Sequence, residues 1–182
     1  MTFNPDFERR DYRIDNVELN WAKLAAPVQP FKDDPKTQWE LQVATTDKAV
    51  ADEWSKNYLN VKGLDSAGKA ETNEAFNGTI VKYAANLRRK AIKADGNPNV
   101  PVRVVDIAAQ PITNGALTKI GNGSIGNVII YQNIYEYMGK SGISNHLTAV
   151  QITQLKEYVE APMFEPVSVD MEAGDKSAEM PF

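Results

Sequence analysis

Residues 127–138, NVIIYQNIYEYM, show the most regular alternation of apolar and polar side chains in the chain. Val128, Ile130, Ile134 and Met138 fall on one side of an extended backbone. A period of two predicts a β-strand with one buried face. The other side of this strand would point outward and carry Asn127, Tyr131, Asn133, Tyr135 and Tyr137.

Further stretches of the chain alternate in the same way. Residues 12–21, 36–43 and 79–90 are typical of strands with one face in the core, and a run of alternating valines follows at 100–104. Residues 147–159 are apolar enough for the core, but their period decides neither strand nor helix.

One amphipathic helix is predicted over residues 46–59. The run Thr45-Thr46-Asp47 offers an N-cap, and Val50 and Trp54 begin an apolar stripe with a spacing of four. Residues 60–78 are polar, contain glycines and have no period, so we expect a mobile loop there. Several short strands and one helix favour a mainly β fold, a small barrel or sandwich, over a βαβ fold.

The three tryptophans lie on the apolar sides of these elements. Trp39 and Trp54 are predicted to be core residues. Trp21 shares a side with Val17 and Leu19, so we expect it in the core as well.

Two glycine-containing segments are predicted to be turns. Asn114-Gly115 has the composition of a tight turn. Residues 121–126, GNGSIG, fit the G-x-G-x-x-G spacing of nucleotide-binding loops, but that motif requires a helix directly after it. Here a β-branched, alternating segment follows, so we interpret the glycines as a turn that leads into a strand.

The composition excludes most catalytic chemistry. The chain has 182 residues, 42% hydrophobic and 24% charged, which is typical of a globular protein. It contains no cysteine and one histidine, His146, so disulfides, thiol nucleophiles and Cys/His zinc sites are excluded. We expect His146 to be a surface or capped histidine. No residue is nominated as catalytic, and we expect no enzyme activity, no metal and no cofactor.

Charge is distributed unevenly along the chain. The net charge is −4, but residues 157–182 contain seven acidic side chains and one lysine, which leaves a mildly basic body. This asymmetry suggests a polyanion-binding surface and a separate interaction tail. The N-terminus shows no basic-then-apolar signal pattern, so we expect an intracellular protein.

Cations and tyrosines on outward strand faces suggest a binding surface for single-stranded nucleic acid. Cations neutralise phosphates, and exposed rings stack on bases with little sequence preference. The candidate phosphate contacts are Lys82, Arg88, Arg89, Lys90, Lys93 and Arg103. The candidate stacking residues are Tyr131, Tyr135 and Tyr137. Because successive strand residues point to opposite faces, Arg89 and Lys93 are out of phase with Arg88 unless a bulge intervenes.

The C-terminal residues 166–182 have no core-forming period and are predicted to be a disordered acidic tail behind a domain of residues 1–165. The tail ends with an apolar ring beside the terminal carboxylate, which suits a partner pocket that is apolar inside and rimmed with Arg or Lys. The candidate partner-binding residues are Asp170, Glu172, Asp175, Glu179, Met180, Pro181 and Phe182.

Five segments, taken in order along the chain, carry a family resemblance: residues 86–96, 101–106, 120–124, 139–143 and 147–151. Together with the acidic, Phe-terminated end, they resemble the single-stranded DNA-binding proteins of tailed bacteriophages, an OB-fold family. The resemblance extends from about residue 12 to residue 158 and includes the tail.

The resemblance implies a five-stranded Greek-key OB barrel with the inserted helix and the disordered tail. It also implies that residues 147–158 form the strand that closes the barrel. The implied function is sequence-independent binding of single-stranded DNA (ssDNA) in phage replication, recombination and repair, in the host cytoplasm. The tail would bind replication or recombination proteins, such as a polymerase or helicase-primase. No membrane partner is expected, and the oligomeric state is left open, a homo-oligomer included.

Two other functions stay open at this point. One is an RNA-binding OB protein of cold-shock type, which uses the same stacking logic. The other is a non-enzymatic partner-binding or structural phage protein whose basic face is incidental. Competition between matched DNA and RNA oligonucleotides tests the first, and indifference to oligo-dT at low salt would favour the second.

Overall fold

The computed structural model describes residues 4–30, 32 and 35–159. Strands dominate this part of the chain, and two short helices interrupt them. In chain order the elements are β1 (Arg10–Val28), β2 (Gln38–Thr45), α1 (Lys48–Lys56), β3 (Val61–Leu64), β4 (Lys82–Lys90), β5 (Arg103–Val105), α2 (Asn114–Leu117), β6 (Ser124–Tyr137) and β7 (Lys140–Gln154).

Five of these strands close into a barrel. They pair in the order β1–β2–β4–β7–β6 and back to β1. All of these pairs are antiparallel except β4–β7, where Arg88 lies opposite His146 in a parallel bridge that completes the ring. β3 pairs with β4, and β5 pairs with β7, beside the barrel. The predicted fold, a mainly β, five-stranded OB-like barrel, is confirmed.

The long strand β1 pairs with two neighbouring strands of the barrel. Its first half pairs with β6 and its second half with β2. The register shifts after Ile14 in the pairing with β6 and after Asn20 in the pairing with β2. Extra residues at such bulges bend and twist a strand, which lets β1 wrap around the barrel.

The interior contains the apolar faces that the alternation predicted. Burial of one such aliphatic side chain contributes about 1.5–3 kcal/mol. Trp39 and Trp54 lie in this core, as predicted, with exposures of 6% and 3%. Core side chains with exposures of 2% or less include Leu19, Leu41, Val43, Val128, Ile130 and Leu147.

The predicted helix is present as α1. Asp47 is its N-cap, and the carboxylate of Asp47 accepts a hydrogen bond from the amide of Ala49 at 2.9 Å. Ala51 and Trp54 are its buried residues. The helix is shorter than predicted, because the chain leaves the helical conformation at Tyr58, which has a φ of +66°.

The closing strand and the glycine turn are confirmed. β7 pairs with β6, β5 and β4, so residues 147–154 belong to the closing strand that the resemblance implied. The strand differs from the predicted range 147–158 at both ends, because it begins at Lys140, includes the closing bridge at His146 and ends at Gln154. Gly123 has a φ of +92°, and β6 begins at the next residue without any helix. The predicted domain boundary at residue 165 and the tail 166–182 lie outside the described residues.

Two backbone predictions need correction. Within the predicted loop 60–78, residues 61–64 form the strand β3, which pairs with β4 and is too short to show a period in the sequence. Residues 65–78 lie outside the helices and strands, as predicted. The buried carboxylate of Asp65 organises the turn that follows by accepting hydrogen bonds from the amides of Ala67, Lys69 and Asn77. Residues 114–115 lie in the short helix α2 instead of a tight turn.

Several apolar residues on the sides predicted to be buried are exposed: Trp21, Val50, Val81, Val100 and Met138. Trp21 is 63% exposed because it lies at the second bulge of β1. Met138 is 85% exposed because it lies at the tip of the β6–β7 hairpin, with a φ of +50°. In the described part of the chain, no helix has the length and apolar character needed to cross a membrane.

Candidate nucleic-acid interface

The barrel closure places three side chains in one row across three strands. Tyr131 on β6 lies opposite His146 on β7, and His146 lies opposite Arg88 on β4. Neighbouring strands are about 4.8 Å apart, so the row spans about 10 Å. The side chains point away from the core, since a neighbouring residue of each in its strand is buried. We call these three residues the central row.

Two further predicted cations lie beside the central row, both towards the C-terminal end of β7. Lys90 follows Arg88 on the same exposed face of β4. Arg103, the first residue of β5, pairs with Ala149 of β7. Because Ala149 is three residues along β7 from His146, Arg103 lies about 10 Å along the strand from the row. Arg88, Lys90 and Arg103 are exposed, and none forms a salt bridge with another described residue.

Tyr135 and Tyr137 continue the aromatic face beyond the barrel. They follow Tyr131 at even spacing and so share its face. Tyr131 is 38% exposed, Tyr135 is 49% exposed and Tyr137 is 71% exposed. Pairing with β1 ends at Gln132, and β6 and β7 continue as a two-stranded ribbon. A Cβ at Gly142 would lie 2.6 Å from the Tyr135 hydroxyl oxygen, so this ring packs against the glycine. Such packing holds the ring in place and leaves part of it open to solvent.

Arg89 lies on the other side of β4, and its guanidinium forms hydrogen bonds within the protein. Its Nε donates to the carbonyl oxygen of Val100 at 2.6 Å, and its Nη2 donates to Oδ1 of Asn99 at 2.9 Å. A longer contact, 3.4 Å, joins its Nη1 to the carbonyl oxygen of Leu147. Partial burial lowers the pKa of Arg89. The side chain therefore ties β4 to β7 and to the segment before β5.

Lys82 and Lys93 lie away from the central row. Lys82 is at the start of β4, six residues or about 20 Å from Arg88, and its ammonium forms a 2.9 Å salt bridge with Glu18. Burial alone would raise the pKa of Glu18, but hydrogen bonds from Asn20 and Lys82 lower it. Lys93 lies in the turn after β4.

A polar groove adjoins the central row on the outer face of β2, β3 and β4. Its volume is about 360 Å³. The side chains that line it include six carboxamides and lysines: Gln42, Asn60, Lys62, Lys69, Asn73 and Asn86. Carboxamides can donate to and accept from base edges, and ammonium groups can pair with phosphates. We call this feature the carboxamide groove. It is continuous with the row because Asn86 and Arg88 are neighbours on one face of β4.

His146 lies in the middle of the central row and is half-buried. Its Nε2 is 2.9 Å from the hydroxyl oxygen of Ser144. Burial, and then the positive charges of Arg89, Lys90 and Arg88, lower the pKa of His146. A phosphate placed beside the ring would act in the opposite direction and favour the protonated form.

Glu40 brings a negative charge to the same outer face. It lies opposite Arg88 in the β2–β4 pairing and opposite Lys23 in the β1–β2 pairing. One carboxylate oxygen accepts a hydrogen bond from Nε2 of Gln38 at 2.7 Å. A polyanion that crosses from the central row towards β1 would therefore meet one carboxylate between two cations.

His146, Lys62 and Lys69 also lie on this surface but were not predicted from the sequence. The lysines lie in or just after β3, which has no periodic signal, and the position of His146 depends on a strand register that local sequence does not specify. Within the described residues, no group of three or more His, Asp or Glu side chains is arranged to hold a metal ion.

The similarity of this protein to known proteins lies in its fold and not in its sequence. No family model matches the sequence, and no curated protein sequence matches it. Solved structures do match. The single-stranded DNA-binding protein from bacteriophage Enc34, in complex with ssDNA, has a TM-score of 0.56 at 13% identity, over 85% of this chain and 89% of that chain.

A second match is gp2.5, a single-stranded DNA-binding protein encoded by bacteriophage T7. Its TM-score is 0.51 at 12% identity, over 89% of this chain and 100% of that chain. Another structure of the Enc34 protein has a TM-score of 0.52 at 12% identity, over 91% of this chain and 90% of that chain. These structural neighbours are phage single-stranded DNA-binding proteins, so the resemblance noted from the sequence is confirmed at the level of the fold.

Proposed function

We propose that this protein binds single-stranded DNA without sequence specificity, along the outer face that contains the central row. The register of the barrel closure supports this proposal most directly, because it aligns Tyr131, His146 and Arg88 on one exposed surface. A ring for stacking and a cation for a phosphate lie within about 10 Å of each other, a separation that one or two nucleotides span. The structural similarity to the Enc34 protein, whose structure is a complex with ssDNA, supports ssDNA as the ligand.

The side chains divide into two roles in this proposal. Arg88, Lys90 and Arg103 neutralise phosphates, and each contact contributes about −0.7 to the slope of log affinity against log salt. Tyr131, Tyr135 and Tyr137 stack bases, and each stack contributes about 1–3 kcal/mol. Lys82 and Lys93 would contact the ssDNA only when it is long enough to extend beyond the central row. We assign Arg89 to the barrel and not to the DNA.

We further propose that the protein coats and protects ssDNA during phage DNA replication and recombination. The acidic residues 170–182 would recruit replication or recombination proteins. They lie outside the described residues, and the support for this role is their charge and the aromatic side chain of Phe182. Deletion of residues 170–182 should leave ssDNA affinity equal or higher and abolish binding to a polymerase or helicase-primase. A truncated protein that loses ssDNA but keeps its partners would contradict this role.

The proposed function is tested with labelled oligo-dT and fluorescence anisotropy. The wild-type protein should bind at low salt, and the combined substitution Arg88→Ala, Lys90→Ala and Arg103→Ala should weaken binding strongly. Lys119→Ala is the matched control, because Lys119 is exposed and lies beside Tyr158, beyond the far end of β7.

Two outcomes would contradict the proposal. Absence of oligo-dT binding at low salt would remove the function altogether. Tighter binding of a matched RNA oligonucleotide in competition would assign the surface to RNA instead.

A further inference from the structure

Trp21 is an exposed aromatic residue that the barrel itself does not use. In the β1–β2 pairing, Asn20 lies opposite Gln42 and Lys23 lies opposite Glu40, so two residues of β1, Trp21 and Ala22, face one residue of β2. This is the two-against-one count of a β-bulge. Trp21 is 63% exposed. The described ring-ring and cation-ring contacts involve Phe7, Arg10, Tyr12 and Tyr58 and do not include it.

The backbone at Trp21 is in a conformation that a bulky residue rarely adopts. Its φ is +52°, in the left-handed region where a Cβ crowds the following carbonyl. At the first bulge of the same strand, Asn16 also has a left-handed backbone conformation, with a φ of +53°. Asparagine tolerates this region, whereas tryptophan gains nothing from it. A bulge alone would therefore be served better by Asn or Gly at position 21.

The bulge at Trp21 is fixed by the turn that precedes β6. The amide of Trp21 donates to Oδ1 of Asn122 at 2.8 Å, and Oδ1 of Asn20 accepts from the amide of Gly123 at 2.9 Å. These two reciprocal hydrogen bonds hold the strained residue in one conformation. The indole is thus presented outward by a defined backbone and not by a mobile loop.

The bulge lies beside the candidate interface. Gln42, opposite Asn20, lines the carboxamide groove, and Glu40, opposite Lys23, lies opposite Arg88 of the central row. From Tyr131 on β6 to β1 through β7, β4 and β2 there are four strand spacings, or about 19 Å along the surface. A bound strand of the about 4–16 nucleotides that one OB fold accommodates is long enough to span this distance.

We propose that Trp21 is a further base-stacking residue, which binds a nucleobase of the ssDNA that crosses the outer face from the central row. Backbone strain and an exposed indole both cost free energy in the unbound protein, and a stacked base offsets both. The inference rests on the proposed function and adds a contact on β1, at the opposite side of the carboxamide groove from Tyr131.

Intrinsic tryptophan fluorescence tests this directly, because the other two tryptophans of the chain are buried. Oligo-dT should quench the wild-type emission and protect it from acrylamide. Trp21→Phe should abolish both effects and keep most of the affinity, since the substituted ring still stacks. Trp21→Ala should reduce the affinity by about 5- to 150-fold.

Trp21→Gly separates stacking from folding. Glycine adopts the left-handed region without a Cβ clash, so this variant should melt at or above the wild-type temperature while its affinity falls as for alanine. A merely structural role for Trp21 would give the reverse, a lower melting temperature with unchanged affinity, and would overturn the inference. Wild-type protein that binds oligo-dT by anisotropy but shows no change in tryptophan emission would also overturn it. Failure of the wild-type protein to bind oligo-dT would overturn the proposed function as well.

Discussion

Arg88 and Arg89 are adjacent in the sequence but belong to two different regions of the molecule. Arg88 is on the outer face of the barrel, in a row with His146 and Tyr131, and forms no salt bridge with any described residue. Arg89 faces the other way and donates to Val100, Asn99 and Leu147 at the junction of β4, β7 and the segment before β5. One basic cluster in the sequence is therefore divided by strand alternation into a binding residue and a structural residue.

The largest difference between the two regions should appear in stability. Arg89→Ala removes hydrogen bonds from a charged donor and leaves backbone carbonyls without their partner. We expect a loss of about 1.5–3 kcal/mol in the free energy of unfolding, measured by urea denaturation. Arg88→Ala should change it by less than about 0.5 kcal/mol. Equal destabilisation by the two substitutions would contradict the division of Arg88 and Arg89 into a binding residue and a structural residue.

Tyr131→Ala tests the outer region next. Loss of one stacking ring should weaken ssDNA binding by about 1–3 kcal/mol, measured by anisotropy with oligo-dT. Tyr158→Ala is the matched control, since Tyr158 is 62% exposed and lies beyond the other end of β7. If both substitutions weakened binding alike, the tyrosines would not mark a localised surface.

The pH dependence at His146 should differ in sign between folding and binding. Because the folded pKa is lowered by burial and by Arg89, Lys90 and Arg88, the unfolded chain binds more protons near its ordinary pKa of about 6.5. The contribution of His146 to the free energy of unfolding is therefore fully present above about pH 6.5 and declines as the pH falls below this value. Bound phosphate favours the protonated ring, so ssDNA affinity should rise as the pH falls from 8 to 6.

His146→Gln should remove this rise in affinity and the corresponding decline in stability. Anisotropy titrations and urea denaturation at several pH values measure the two effects. An affinity that rises equally in the His146→Gln variant would show that another group carries the proton linkage.

The smallest expected effect is at Glu40, where a carboxylate lies between Arg88 and Lys23 on the outer face. Glu40→Gln removes repulsion towards phosphate and should strengthen ssDNA binding by about 0.2–1 kcal/mol. Glu53→Gln, on the exposed side of α1, should leave it unchanged. Unchanged binding after Glu40→Gln would mean that the DNA does not cross this part of β2, and weaker binding would contradict a repulsive role for Glu40.

Local sequence predicts those strands whose two faces differ in polarity. In β4, Ala85 and Leu87 are buried while Asn86 and Arg88 are exposed, and this contrast predicts both the strand and the outward cations. The same contrast placed Tyr131 on the outer face of β6. The N-cap at Asp47 could also be predicted, since its carboxylate accepts a hydrogen bond from the amide of Ala49, only two residues away.

Long-range register could not be predicted in the same way. The position of His146 between Tyr131 and Arg88 depends on the register of the β6–β7 hairpin and on the pairing of β7 with β4, which lies far away in the sequence. The exposure of Trp21 depends on a bulge that is fixed by Asn122, about a hundred residues further along the chain. These features follow from closure of the barrel, and no local period encodes them.

A salt titration of oligo-dT affinity for wild-type protein, Arg88→Ala and Arg89→Ala tests the central assignment most directly. If the outer face binds ssDNA, Arg88→Ala should make the slope of log affinity against log salt less negative by about 0.7. Arg89→Ala, measured where it remains folded, should keep the wild-type slope. An unchanged slope in Arg88→Ala, or an equal change in both variants, would contradict the account.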